Sequence, residues 1–199
     1  MAERAVEFFF DVGSPASYLA FTQLPALCAQ TQARLIYKPM LLGGVFKATG
    51  NSSPASVPAK GLYTAIDFAR FAKRYGVPFE FNPHFPLNTL QLMRAVVGMQ
   101  LLHPDQFERL TRLIFDGIWS NALNLNDLEV LAQWLSQGGF NPADIVQISS
   151  RDEVKEALKA NTEEAVSRMV FGAPTLFVGQ EMFFGQDRLD FVKEALLRS

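Results

Sequence analysis

The chain predicts an α/β fold: a sheet assembled from the two ends of the sequence, with an all-helical block inserted between them. Three observations lead there. Near the start, an apolar run at residues 5–10 passes through Asp11-Val12-Gly13 into a helix opened by Ser14-Pro15, and an extended segment at 34–38 follows. Strand, helix, strand is the unit that builds a parallel sheet. Through the middle, residues 61–169, the pattern is helical. At the end, two short strand-like runs, 175–178 and 182–184, bracket Gly179-Gln180 and lead into a final helix.

Each element has a local reason. Residues 5–10 are apolar apart from Glu7, as expected of a buried strand. Pro15 suits the first helical position, where its fixed φ fits and its missing N–H is not needed. Leu19, Leu24 and Leu27 mark the buried face of a helix reaching about residue 30. Pro25 lies inside it and is expected to bend or break it. Pro39 ends the second strand. Residues 40–58 hold Gly43, Gly44, Gly50, Asn51, Ser52, Ser53, Pro54 and Pro58 and read as one long loop of the kind that often carries function. A helix over 61–75 places Leu62, Ile66 and Ala69 on one side and stops at Gly76; residues 79–83 are extended. Asn88 with Gln91, Asn126 with Glu129, and Ser150 with Glu153 match capping boxes. They predict helices starting at 88, over 126–137 and over 150–169, with another over 104–119. The last helix, 188–197, turns Leu189, Val192 and Leu196 inward.

Composition narrows the function classes. The 199 residues are 49% hydrophobic and 19% charged with a net charge of −2, so neither a nucleic-acid footprint nor a polybasic membrane patch is expected. No apolar run approaches the ~20 residues that cross a bilayer. Met1-Ala2-Glu3-Arg4 leads directly into strand pattern, so no secretory leader is expected. The single cysteine, Cys28, excludes an internal disulfide and fits a reducing, cytoplasmic setting; it sits among apolar neighbours and reads as inert packing. His84 and His103 lie beside prolines, outside any metal-ligand spacing, and no metal site is expected.

The corner at residues 10–15 carries the chemistry. A strand running into a helix leaves backbone N–H groups and the positive end of the helix dipole directed at whatever sits above. That setting holds an anion or favours a thiolate over a thiol. The position carries Ser14 rather than cysteine, so a thiolate there must come from outside the chain. Gly172-Ala173-Pro174-Thr175 lies directly before a strand. With the βαβ…ββα order, this is the pattern of a thioredoxin-like domain with a helical insertion, where a cis-proline faces the start of the active-site helix; cis peptides are essentially confined to proline. A trans proline opening a strand is the alternative.

Seven segments then occur in register: Phe10-Asp11-Val12-Gly13-Ser14-Pro15, Tyr18-Leu19-Ala20, Thr49-Gly50-Asn51, Pro58-Ala59-Lys60, Phe85-Pro86-Leu87-Asn88-Thr89, Gly172-Ala173-Pro174-Thr175 and Phe184-Gly185-Gln186-Asp187-Arg188. On these, nearly the whole chain resembles the 2-hydroxychromene-2-carboxylate isomerase family, kin of kappa-class glutathione transferases in the DsbA-like branch of thioredoxin folds. The resemblance implies a DsbA-like thioredoxin domain from residues 1–60 and 170–199, a helical insertion over 61–169, and glutathione as cofactor in the cleft between them. Ser14 and Ser17 stand where oxidoreductase relatives carry Cys-x-x-Cys, a swap that removes disulfide exchange.

The resemblance also implies roles. Ser14 donates a hydrogen bond to the glutathione sulfur, with a plain helix N-cap as its other reading. Asn51 and Lys60 bind glutathione, Lys60 at the glycyl carboxylate, although an isolated lysine is ordinarily a solvated one. Ala173, just before Pro174, offers its backbone to the cysteinyl part. Gln186 and Asp187 hold the γ-glutamyl end, while Asp187 with Asp190 also fits a cap of the last helix. Asn88 and Tyr18 fall on the side of the second substrate, with helix capping and core packing as their plainer readings. Ala16 and Gln186 depart from the family pattern, where a bulkier residue and a smaller serine are usual. The implied reaction is glutathione-dependent conversion of 2-hydroxychromene-2-carboxylate, an aromatic carboxylate, to trans-o-hydroxybenzylidenepyruvate in the breakdown of naphthalene-like aromatics, by a homodimer. A kappa-type transferase that conjugates electrophiles, and a non-catalytic glutathione- or peptide-binding module, are the competing readings.

Overall fold

In the computed structural model, which describes residues 4–198, four strands form one mixed sheet in the order β2-β1-β3-β4. They are β1 (Ala5–Phe10), β2 (Arg34–Pro39), β3 (Thr175–Val178) and β4 (Glu181–Phe184). β2 runs parallel to β1, whereas β3 is antiparallel to both β1 and β4, with Phe9 opposite Thr175 and Thr175 opposite Phe184. The two ends of the chain therefore meet at the sheet centre. Helix α1 (Pro15–Thr31) crosses from β1 to β2, and α9 (Leu189–Arg198) follows β4. Between β2 and β3 lie α2 (Leu42–Thr49), α3 (Pro58–Tyr75), α4 (Leu90–Leu102), α5 (Pro104–Trp119), α6 (Leu128–Gln137), α7 (Pro142–Ser150) and α8 (Asp152–Ser167).

Alternation along β1 separates two cores. Val6, Phe8 and Phe10 join α1, α4, α5 and α9 in the large core, with Leu176 and Val178 from β3. Phe9 and Phe177 face the other way, toward Met40, Val45, Ala165 and Val170 under α2 and α8. Glu7 shares that second face; its carboxylate meets Arg168 at 2.7 Å, and the guanidinium lies over the Phe177 ring at 3.8 Å. A charge inside a covered strand is thus tolerated because it is paired and capped by an aromatic face.

The expected β1, the helix from Pro104 to Trp119 and β3 are present with the stated bounds. Other elements differ. Pro25 neither ends nor splits α1, which continues to Thr31 and stops at Gln32 in left-handed conformation. The expected loop at 40–58 contains α2 and a 3-10 turn at Pro54–Ser56. The helix expected from residue 150 starts after Arg151 instead; Ser150 closes α7, and its hydroxyl donates back to the Gln147 carbonyl. Asn88 and Asn126 are not the caps of α4 and α6, which are Thr89 and Asp127. On α3 the side that carries Leu62 and Ile66 is not the one that packs on the core. Phe68, Phe71, Ala72 and Tyr75 pack on the core, while Leu62, Tyr63 and Ile66 are 71%, 60% and 55% exposed. Both sets obey helical spacing, and the aromatic one wins because it brings more apolar area to bury.

Candidate active site

The turn between β1 and α1 is held from four sides. Ser14 N–H donates to the Asp11 carbonyl at 3.0 Å, and Gly13 N–H to Asp11 Oδ1 at 2.8 Å. The Val12 carbonyl accepts from Trp119 Nε1 at 2.8 Å, and Val12 N–H points at Met93 Sδ at 3.3 Å. Glycine at residue 13 lets Thr89 pack close, since a Cβ there would sit 2.7 Å from Thr89 Cγ2 and force one of them to shift. Helices α4 and α5 of the inserted block therefore shape the turn as much as the sheet does.

Ser14 caps α1 in extended conformation, accepting from Ser17 N–H at 3.1 Å, and its hydroxyl donates across to the Ala173 carbonyl at 2.9 Å. The capping role and a position facing the loop before β3 coexist in one side chain. Ser17 is fully buried, and its hydroxyl has no partner. The Ala173–Pro174 peptide is cis, as is Phe85–Pro86. The Pro174 carbonyl accepts from Gly185 N–H at 3.0 Å, so the proline loop and the segment after β4 are tied together.

The remaining residues expected at the site lie on other segments. Asn51 is exposed; its Nδ2 donates to the Phe171 carbonyl at 2.7 Å and its Oδ1 accepts from Ser52 N–H, so it clasps the segment after α2 to the loop bearing Ala173. Lys60 is exposed in the first turn of α3 and makes no ion pair among the described residues. Gln186 is buried and Asp187 exposed, within a 3-10 turn, where Asp187 faces Arg188 at 3.4 Å. Tyr75 secures this turn from α3 by donating to the Gln186 carbonyl at 2.8 Å. Burial, and then Asp187 and Asp190, push the Tyr75 phenol up to about 12, so it remains a donor. Tyr75→Phe is expected to lower stability by about 1 kcal/mol, read from denaturant unfolding. A cavity of about 290 Å³ opens beside the turn, between α1, the end of α3 and α9, with Arg74, Asp187, Asp190 and Lys193 on its walls; Ser14 and Ala173 do not line it.

Tyr18 and Asn88 each have structural partners. Tyr18 is 1% exposed; its hydroxyl donates to the Pro78 carbonyl at 2.7 Å and contacts Ser120 Oγ, and its ring lies against Phe79 and Phe115. It packs in the core, the plainer of its two readings, because the turn of α1 that carries it points into the helical block. Asn88 is exposed; its Oδ1 accepts from Leu90 N–H, and its backbone exchanges two hydrogen bonds with the Asn126 amide. Cys28 is buried, which pushes its thiol up to about 11. Sequence reasoning gave no role to Asp11 or Trp119. Asp11 stood inside a quoted segment, but its partners are distant in sequence; for Trp119 no local signal existed.

Comparison with known proteins completes the description. A family model described as a DSBA-like thioredoxin domain matches residues 5–197. The chain is 31% identical over 197 residues to 2-hydroxychromene-2-carboxylate isomerase of Sphingobium xenophagum, covering 98% of each chain. It is 30% identical over 203 residues to glutathione S-transferase kappa 1 of Caenorhabditis elegans, covering 96% of this chain and 90% of the other. A solved structure of 2-hydroxychromene-2-carboxylate isomerase superposes with a TM-score of 0.84 at 27% identity, covering 98% of this chain and 95% of that one.

Proposed function

We propose that this chain, which belongs to the DsbA-like thioredoxin family, is a glutathione-dependent isomerase that converts 2-hydroxychromene-2-carboxylate to trans-o-hydroxybenzylidenepyruvate in the breakdown of naphthalene-like aromatics. The observation that carries the reading is the Ser14 hydroxyl at the head of α1, 2.9 Å from the Ala173 carbonyl beside Pro174. Relatives named for this isomerisation and relatives named as kappa glutathione transferases, each about 30% identical over nearly the full chain, support it.

When bound, the glutathione thiolate would supply a reversible nucleophile that adds to a conjugated carbon of the ring-opened substrate, allows rotation about the former double bond, and leaves. The chain's own residues prepare that. Ser14 has one hydroxyl proton, now directed at Ala173; turned toward a sulfur, it would stabilise the charged form and lower the thiol pKa. The dipole of α1 acts in the same direction. Serine itself is the wrong acid for the nucleophile's part, and no histidine bonds to Ser14 among the described residues. Ala173, beside Pro174, would hold the cysteinyl part through its backbone, Asp187 the γ-glutamyl ammonium with Gln186 beside it, and Lys60 the glycyl carboxylate, with Asn51 a further glutathione contact. Asn88 would border the aromatic acid. The same reading takes residues 1–60 and 170–199 as the thioredoxin part, 61–169 as the insertion, a homodimer by analogy with kappa enzymes, and a cytoplasmic setting.

The test compares products. Glutathione with the chromene acid is expected to yield the trans isomer, with the thiol recovered in full. A conjugate from an aryl halide, without isomerisation, would assign the kappa-type transferase activity instead. Calorimetric binding of glutathione without acceleration of either reaction would assign a binding module.

A further inference from the structure

Asp11 is 1% exposed, and no cation pairs with it among the described residues. Its two oxygens accept three hydrogen bonds from three parts of the chain: Oδ1 from Gly13 N–H at 2.8 Å, and Oδ2 from Leu42 N–H at 2.8 Å and from Thr89 Oγ1 at 3.0 Å. Each donor belongs to a helix start. Gly13 precedes Ser14, the cap of α1; Leu42 opens α2, whose own cap residue, Leu41, offers no side-chain bond; Thr89 is the cap residue of α4. One carboxylate thus sits where three positive helix ends converge. The residues assigned to the reaction stand on those same elements: Ser14 heads α1, Asn51 follows α2, and Asn88 precedes Thr89.

We propose that Asp11 is a positioning residue for the isomerisation, setting the starts of α1, α2 and α4 around one point so that the Ser14 hydroxyl meets the thiol and the acceptor carbon in one geometry. This rests on the function proposed above. No neutral side chain of the same shape reproduces the arrangement. An asparagine has one acceptor oxygen and one amide nitrogen, so either Gly13 N–H or Leu42 N–H would face a donor. The carboxylate is also costly to keep. Burial raises its pKa, opposed by the bonds from Gly13, Leu42 and Thr89. The folded protein therefore holds that proton more tightly than the unfolded chain, so the contribution to stability is full at low pH and is lost as pH rises through the raised pKa. A carboxyl kept in this buried place, with both oxygens committed to helix starts, fits a role in the site better than a role in the core.

The experiment measures kcat, KM and the ultraviolet thiolate absorbance of bound glutathione in the wild type, Asp11→Asn and Thr89→Val. Asp11→Asn is expected to lower kcat about tenfold or more, to leave KM for glutathione within about threefold, and to reduce the thiolate band. Thr89→Val keeps the side-chain shape, removes one of the three bonds, and is expected to lower kcat about threefold to tenfold in the same pattern. If Asp11→Asn does not fold, Thr89→Val decides. A folded variant with wild-type kcat and thiolate band, or a loss carried entirely by KM for glutathione, overturns the role. A wild-type protein inactive on the aromatic acid removes the function itself and this role with it, which separates the two failures.

Discussion

Ser14→Ala is expected to lower kcat at neutral pH by about 10- to 100-fold, the value of one hydrogen bond to a charged group. Glutathione affinity is expected to change far less, because the other contacts proposed for the tripeptide lie elsewhere along its length. The sign of the pH effect follows from the donor's role. Without the hydroxyl the thiolate loses a stabilising bond, the bound thiol pKa rises, and less thiolate is present near neutrality. The variant should therefore recover activity as pH rises, its rate profile displaced to higher pH than the wild type's. The same hydroxyl caps α1 through Ser17 N–H, so Ser14→Ala also costs about 1 kcal/mol of stability. Ser14→Gly separates the effects: glycine is a tolerable cap, with a loss of only a few tenths of a kcal/mol, yet it lacks the hydroxyl. Equal rate loss in both variants with unequal melting temperatures would assign the rate effect to the hydroxyl. An Ala-to-wild-type rate ratio that stays constant across pH would take Ser14 out of thiol ionisation.

Trp119→Ala is expected to be among the most destabilising single changes, at about 3–5 kcal/mol. The side chain is wholly buried, stacks on Phe79 with centroids 6.2 Å apart, and contacts Phe81 and Phe85. Its indole N–H is also the donor to the Val12 carbonyl, one residue before Gly13. Truncation opens a cavity and leaves that buried carbonyl without a partner. Trp119→Phe keeps most of the volume and isolates the polar loss, expected at about 1–3 kcal/mol. Denaturant unfolding measures both. A Trp119→Phe cost near zero would mean that the turn beneath Ser14 does not depend on this bond, and that α5 supports it by packing alone.

The elements legible in the sequence are those whose causes are local. β1 is an apolar run closed by Asp11-Val12-Gly13, α5 opens on Pro104, and β3 follows a proline loop, so pattern and turn chemistry alone specify them. The start of α1 was legible for the same reason, with its cap Ser14 beside Pro15 in the chain. Helix α2 was not. Its first turn carries Gly43 and Gly44, and its N-terminal acceptor is the Asp11 carboxylate, 31 residues earlier. Nor was the buried face of α3, where two apolar stripes share one periodicity and only the neighbours select between them.

Residue spacing also could not tell where the side chain of Tyr18, one turn beyond Ser14, would go; the helical block receives its ring and binds its hydroxyl. From the linear chain came the fold class, the serine-headed helix and the absence of a cysteine pair, because each is written within a few neighbouring residues. The three-helix junction at Asp11, the indole under Val12 and the inward fate of Tyr18 were settled by folding. Their bonds and contacts join segments that are far apart in the sequence, and no local pattern records which of them will meet.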